Sequence, residues 1–140
     1  MRTTAVIVLL FASVHLLRAD GLQLYGCYNY HSTNKYAFEV SWTVVDKTPI
    51  WRESDDQPPL PARKALRIAR TGLARVITDG EHWRLDQVSL SPLPEHDGRW
   101  IYLVRFCPPP PPNRPFNGFV KPMTIPVLMS GVAVQPKVSL

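Results

Sequence analysis

The chain has 140 residues, 45% of them hydrophobic and 19% charged, which allows one domain and excludes both a disordered polymer and a multi-span membrane protein. Its 2 cysteines exclude a disulfide-framework miniprotein and a four-thiolate zinc site. The formal charge of +5 and the 15 prolines, about twice the usual share, are both concentrated in particular segments.

At the N-terminus, Arg2 supplies a positive start and Ala5 to Leu17 form an apolar run broken only by Ser13 and His15. Ala19 then offers a small residue for cleavage. This is the layout of a secretory signal peptide over residues 1–19. A spanning helix needs roughly 20 apolar residues, and Arg18 and Asp20 stop this run short, so no transmembrane span is expected in the mature chain. The expectation is an exported protein, periplasmic or secreted, with an N-terminal extension at 20–35 and one domain at 36–140. Losing Arg2 and Arg18 lowers the formal charge from +5 to +3.

From Tyr36 to Val44, Tyr36, Phe38, Val40, Trp42 and Val44 alternate with smaller or polar residues, which predicts a half-buried strand. A Pro-rich connector follows at 46–60. The best helix runs from Pro61 to Ile77. Leu66, Ala69, Leu73 and Val76 recur at helical spacing, and Ala62, Ala65 and Ile77 fall on the same side. Arg63, Lys64, Arg67, Arg70 and Arg75 gather on the opposite side without an intervening acid. Asp55 and Asp56 lie just upstream, where they suit the positive helix end if the chain folds back. Two readings of the stripe stand: a solvated face, or a docking surface for an acidic partner, an anionic envelope polymer or an anionic lipid.

Trp83 to Leu90 predicts a second strand whose apolar phase changes, placing a bulge near Asp86-Gln87. Arg99 to Phe106 is the strongest strand, apolar on both faces and therefore central. Ser91 to Gly98 joins the two as a hairpin loop. A second Pro-rich connector at 108–118 opens with Pro108 to Pro112, which favours extended polyproline II, as a stiff spacer or as a ligand for an aromatic-lined groove. Thr124 to Leu128 and Val132 to Gln135 predict a last hairpin around Met129-Ser130-Gly131. Pro126 removes a backbone donor there, so its strand should be an edge or have the proline facing outward.

These elements predict an α+β domain: one amphipathic helix on a twisted antiparallel sheet of four or five strands. Trp42, Trp100 and Phe106 are candidates for the surface beneath the helix, beside Leu66 and Leu73, and the four tryptophans are assigned to the core.

Cys27 and Cys107 are a candidate disulfide in an oxidising compartment, closing 81 residues and contributing on the order of 4 kcal/mol in the chain-entropy model. Two free thiols are the alternative. A third reading is lipidation at Cys27, since Leu24-Tyr25-Gly26-Cys27 resembles a bacterial lipobox, although Tyr25 is bulky for that pattern. The histidines His31, His82 and His96 lack partners at metal-ligand spacing, and no metal or other cofactor is expected. Ser89, Ser91 and Ser130 lack the Gly-x-Ser-x-Gly turn, and no catalytic residues are nominated. Export argues against nucleic acid as a partner.

The stretches Pro58 to Leu66, Trp83 to Leu90 and Asp97 to Phe106 resemble small exported bacterial proteins of uncharacterised function. Their helix-then-hairpin order is similar to PepSY-like and, more loosely, cystatin-like domains over roughly residues 58–136. The PepSY resemblance implies an inhibitory propeptide or an envelope regulator of secreted enzymes. Cystatins inhibit through a Gln-x-Val-x-Gly loop, which Met129-Ser130-Gly131-Val132 does not replace. The function expected is an exported, non-enzymatic binding or regulatory module of the bacterial envelope, whose partner is an envelope protein or anionic polymer. A small secreted hydrolase without a recognisable motif and a peptidase-inhibitor-like domain are the alternatives.

Overall fold

The computed structural model describes residues 21–23, 29–31, 33–94, 96–110, 112 and 121–140. The expected signal peptide, Cys27 and most of the second Pro-rich connector lie outside them.

Strand β3 (Asn34–Ser41) follows the short strands β1 (Gly21–Gln23) and β2 (Asn29–His31), and both pair with it antiparallel. Tyr36, Phe38 and Val40 of β3 are buried, as their alternation requires. The strand ends earlier than the pattern predicts. Among the described residues no pairing continues beyond Ser41, and the chain closes a single helical turn, α1 (Trp42–Val45). Ser41 and Thr43 share a side-chain hydrogen bond of 3.0 Å, and the Thr48 hydroxyl donates to the Val45 carbonyl at 2.7 Å. Such local bonds compete with a ladder. The turn changes which residue points inward: Val45 is fully buried, whereas Val44 is 44% exposed.

Helix α2 (Ala62–Val76) starts after Pro61, which needs no N–H at that position. It packs Ala65, Ala69, Gly72 and Leu73 against the sheet formed by β4 (Arg84–Pro92), β5 (Trp100–Cys107) and β6 (Met123–Leu128). Gly72 allows the close approach, since a Cβ there would sit 3.2 Å from the Ala133 Cβ. A 3₁₀ turn, Gly80–His82, leads into β4. The β4–β5 register shifts between Leu85 and Gln87, where the change of apolar phase places a bulge. Strand β5 is central, with Ile101, Tyr102, Leu103, Val104 and Phe106 all buried.

The α+β class and the antiparallel pairing agree with the sequence, but the single sheet of four or five strands does not. Among the described residues there are two sheets, and the one carrying α2 has three strands, in the order β4-β5-β6. The predicted last hairpin shows why the strands divide. Val134 donates to the Pro126 carbonyl at 2.9 Å, and Pro126 has no N–H to return the bond. Pairing on that side shrinks to one bridge, Val127 with Ala133. The chain then leaves to form β7 (Pro136–Ser139) against β3 in the other sheet. Phe106 lies in the core beneath the Arg70 guanidinium of α2, whereas Trp42 stacks on His96 and Trp100 packs half-buried against the core while meeting Trp51 edge to face. No helix among the described residues is long and apolar enough to cross a membrane.

Candidate functional site

The five cations of α2 occupy two different settings. Arg63, Lys64, Arg67 and Arg75 are exposed. Among the described residues none of these four pairs with a carboxylate; ion pairs elsewhere include His82–Glu81, His96–Asp46, Arg105–Asp86 and Lys137–Glu39. Asp55 accepts from the Arg52 backbone N–H at 2.9 Å. The first turn of α2 contains no acid, while Arg75 in the last turn suits the negative helix end. Arg70 is half-buried instead. Its Nη1 donates to the Trp83 carbonyl at 3.0 Å, and its guanidinium lies 5.0 Å from the centre of the Phe106 ring.

Arg75 also borders a groove of about 450 Å³ between α2 and the turn after β6, floored by Ile68, Gly72 and Ala133. The positive face therefore ends beside an apolar patch that includes Val132, 55% exposed.

A second feature arises where the first connector returns across the tip of the β4–β5 hairpin. The Trp51 N–H donates to the Gly98 carbonyl at 2.9 Å, and Trp100 Nε1 donates to the Trp51 carbonyl at 3.0 Å. The two indoles meet edge to face, 4.9 Å between centroids. His96, which lines the same hollow, stacks on Trp42, and its Nδ1 lies 3.0 Å from the Asp46 carboxylate. Arg99 Nη2 donates to the Asp46 carbonyl at 2.7 Å. Gly98, at φ +68°, makes the sharp turn; a Cβ there would strike Ile50 at 2.5 Å. The result is a groove of about 620 Å³ whose walls include Trp51 and Trp100 and whose rim carries Arg52, Glu53 and Asp97.

This cluster is absent from the sequence reading, which assigns all four tryptophans to the core. Only Trp83 is fully buried there, at 4% exposure, while the other three are half-buried near the hairpin tip, Trp100 also packing against the core. The available signal was Trp51 itself, a tryptophan in a connector without apolar periodicity, where nothing local explains it.

Cys107 closes β5 half-buried, and burial, followed by the nearby Asp86 carboxylate, raises its thiol pKa. Its candidate partner, Cys27, lies outside the described residues. Among those residues no group of three histidines, cysteines or acids converges as a metal site. Comparison with protein-family models, curated proteins and solved structures finds no match for this chain.

Proposed function

We propose that the protein is an exported, non-enzymatic binding module of the bacterial envelope, docking through the α2 face onto an anionic envelope polymer. The observation that carries this reading is the set of four exposed cations Arg63, Lys64, Arg67 and Arg75 on one helix, none of which meets a carboxylate among the described residues. Like charges one turn apart, such as Arg63 and Arg67, cost a few tenths of a kcal/mol in an isolated helix. An external polyanion offsets that cost. Export rests on the Arg2 start and the short apolar run to Leu17. The regulatory version of this reading draws on the order of α2 and the β4–β5 hairpin, which underlies the PepSY-like resemblance.

The test is binding of the purified protein to lipopolysaccharide and to teichoic acid at low and physiological salt. Affinity is expected to fall steeply as exposed charges become screened over about 8 Å at 0.15 M. A variant with Arg63, Lys64, Arg67 and Arg75 all replaced by Gln should lose binding and keep its thermal midpoint. Unchanged binding by that variant leaves the face merely solvated and removes the proposal.

A further inference from the structure

We propose that the groove at the β4–β5 hairpin tip is a binding site for a neutral saccharide. It shares no residue with the α2 face, so it goes beyond the polyanion reading and stands or falls separately. Its volume of about 620 Å³ lies within the roughly 300–1,000 Å³ of small-ligand sites.

The chemistry of the walls selects the ligand. Trp51 and Trp100 are both half-buried, yet neither presents its indole N–H to the groove. Trp100 Nε1 is committed to the Trp51 carbonyl, and Trp51 Nε1 is buried without an acceptor among the described residues. What these rings expose is therefore carbon. A carbon ring face suits the C–H face of a pyranose through burial and weak C–H contacts. A proline-rich peptide presents backbone carbonyls instead, and here the indole donors those carbonyls would need are turned away.

The rim points the same way. Arg52, Glu53 and Asp97 are exposed and have no side-chain partner among the described residues. One cation and two carboxylates repel a polyanion, but they provide donors and acceptors together. A sugar hydroxyl donates and accepts at once, so it can use both. The walls are also held in advance. The Trp51–Gly98 backbone bond places the connector, the Trp100–Trp51 bond orients the Trp100 indole, and the edge-to-face contact sets the Trp51 ring against it before any ligand arrives, which reduces the ordering cost of binding.

The test is titration of the purified protein with chitotriose, cellotriose and maltotriose, read by tryptophan fluorescence. At least one of the three is expected to give a saturable change. The double variant Glu53→Gln, Asp97→Asn removes two acceptors of full charge from exposed positions. It should bind about tenfold more weakly with an unchanged thermal midpoint. Replacing the four α2 cations by Gln should leave the titration as it was, which separates this site from the polyanion surface. The proposal is overturned if none of the three sugars responds, if affinity survives the double variant, or if a proline-rich peptide saturates the groove in their place.

Discussion

The imidazole of His96 lies flat on the indole of Trp42, 3.9 Å between ring centroids and 12° from parallel. Fifty-four positions apart in sequence, these rings join the turn after β3 to the loop between β4 and β5, and so tie the two sheets together at one end. Asp46 extends the link, accepting from Arg99 through its carbonyl and approaching His96 through its carboxylate. Next to this joint the connector delivers Trp51 onto Gly98.

Replacing His96 by Ala should loosen that joint without unfolding the protein. The Asp46 carboxylate is largely exposed, so its contact contributes little. Loss of the stack should cost about 1 kcal/mol. Amide exchange at Trp51, whose N–H reaches Gly98 across the joint, should accelerate more than exchange at Val104 in the sheet centre. Equal protection of Trp51 in both proteins would show that the connector is held without His96.

Tyr102 makes a second, deeper tie. Its buried hydroxyl donates to the Leu60 carbonyl at 2.9 Å, anchoring the connector just before α2. Tyr102→Phe should destabilise the fold by about 1–2 kcal/mol, because the carbonyl loses its partner. Burial raises the Tyr102 pKa above its ordinary value of 10.0. The folded state therefore keeps the phenol proton after the unfolded chain has released it. The corresponding stability is fully present below about pH 10 and is lost as pH rises through the raised folded value. Denaturant melts against pH should fall less steeply on the alkaline side for the Phe variant, and parallel curves would contradict this.

In the reduced protein, Cys107 should alkylate with a pH midpoint above 9.0, since burial first and Asp86 second disfavour its thiolate. Asp86→Asn should lower that midpoint by removing the negative charge, leaving Arg105 and Arg84 to favour the thiolate. A maleimide rate profile against pH measures both. If the proposed Cys27–Cys107 bridge forms on export, the oxidised protein is lighter by the two thiol hydrogens and does not react until reduced.

Periodicity carries information about elements that bury one face, and those are the parts legible in the sequence. The alternation of Tyr36, Phe38 and Val40, the helical spacing of Ala65, Ala69 and Leu73, and the apolar run of β5 each match what is buried. Sheet membership is less legible, because it depends on which backbone edge is free. The missing N–H of Pro126 diverts the chain to β3, and hydropathy says nothing of that edge. The cation stripe can be read from spacing alone, but the half-burial of Arg70 depends on Trp83 and Phe106 arriving from other elements. The hairpin-tip groove was hidden for the same reason. Trp51 reaches Trp100 through backbone bonds between a connector and a loop, neither of which has a period to detect.

That division within the stripe gives the most discriminating stability comparison. Arg67 and Arg70 stand one turn apart on α2 with the same side chain and the same charge. Arg67 is exposed and its side chain touches no partner among the described residues, so Arg67→Gln should change stability by less than about 0.5 kcal/mol. Relief of like-charge repulsion could even make the change favourable. Arg70 donates to the Trp83 carbonyl and covers Phe106 with its guanidinium. Arg70→Gln shortens the side chain, abandons that carbonyl and removes the cation from the ring. The lost charged hydrogen bond and cation–π contact should cost about 1–3 kcal/mol. Arg70→Lys keeps the charge but has no planar fork to bond the carbonyl while lying over the ring, so it should recover only part of the loss. Urea melts of the three variants give the answer. Equal stabilities for Arg67→Gln and Arg70→Gln would return Arg70 to the solvated face, whereas the expected ranking makes it the clasp between α2 and the start of β4.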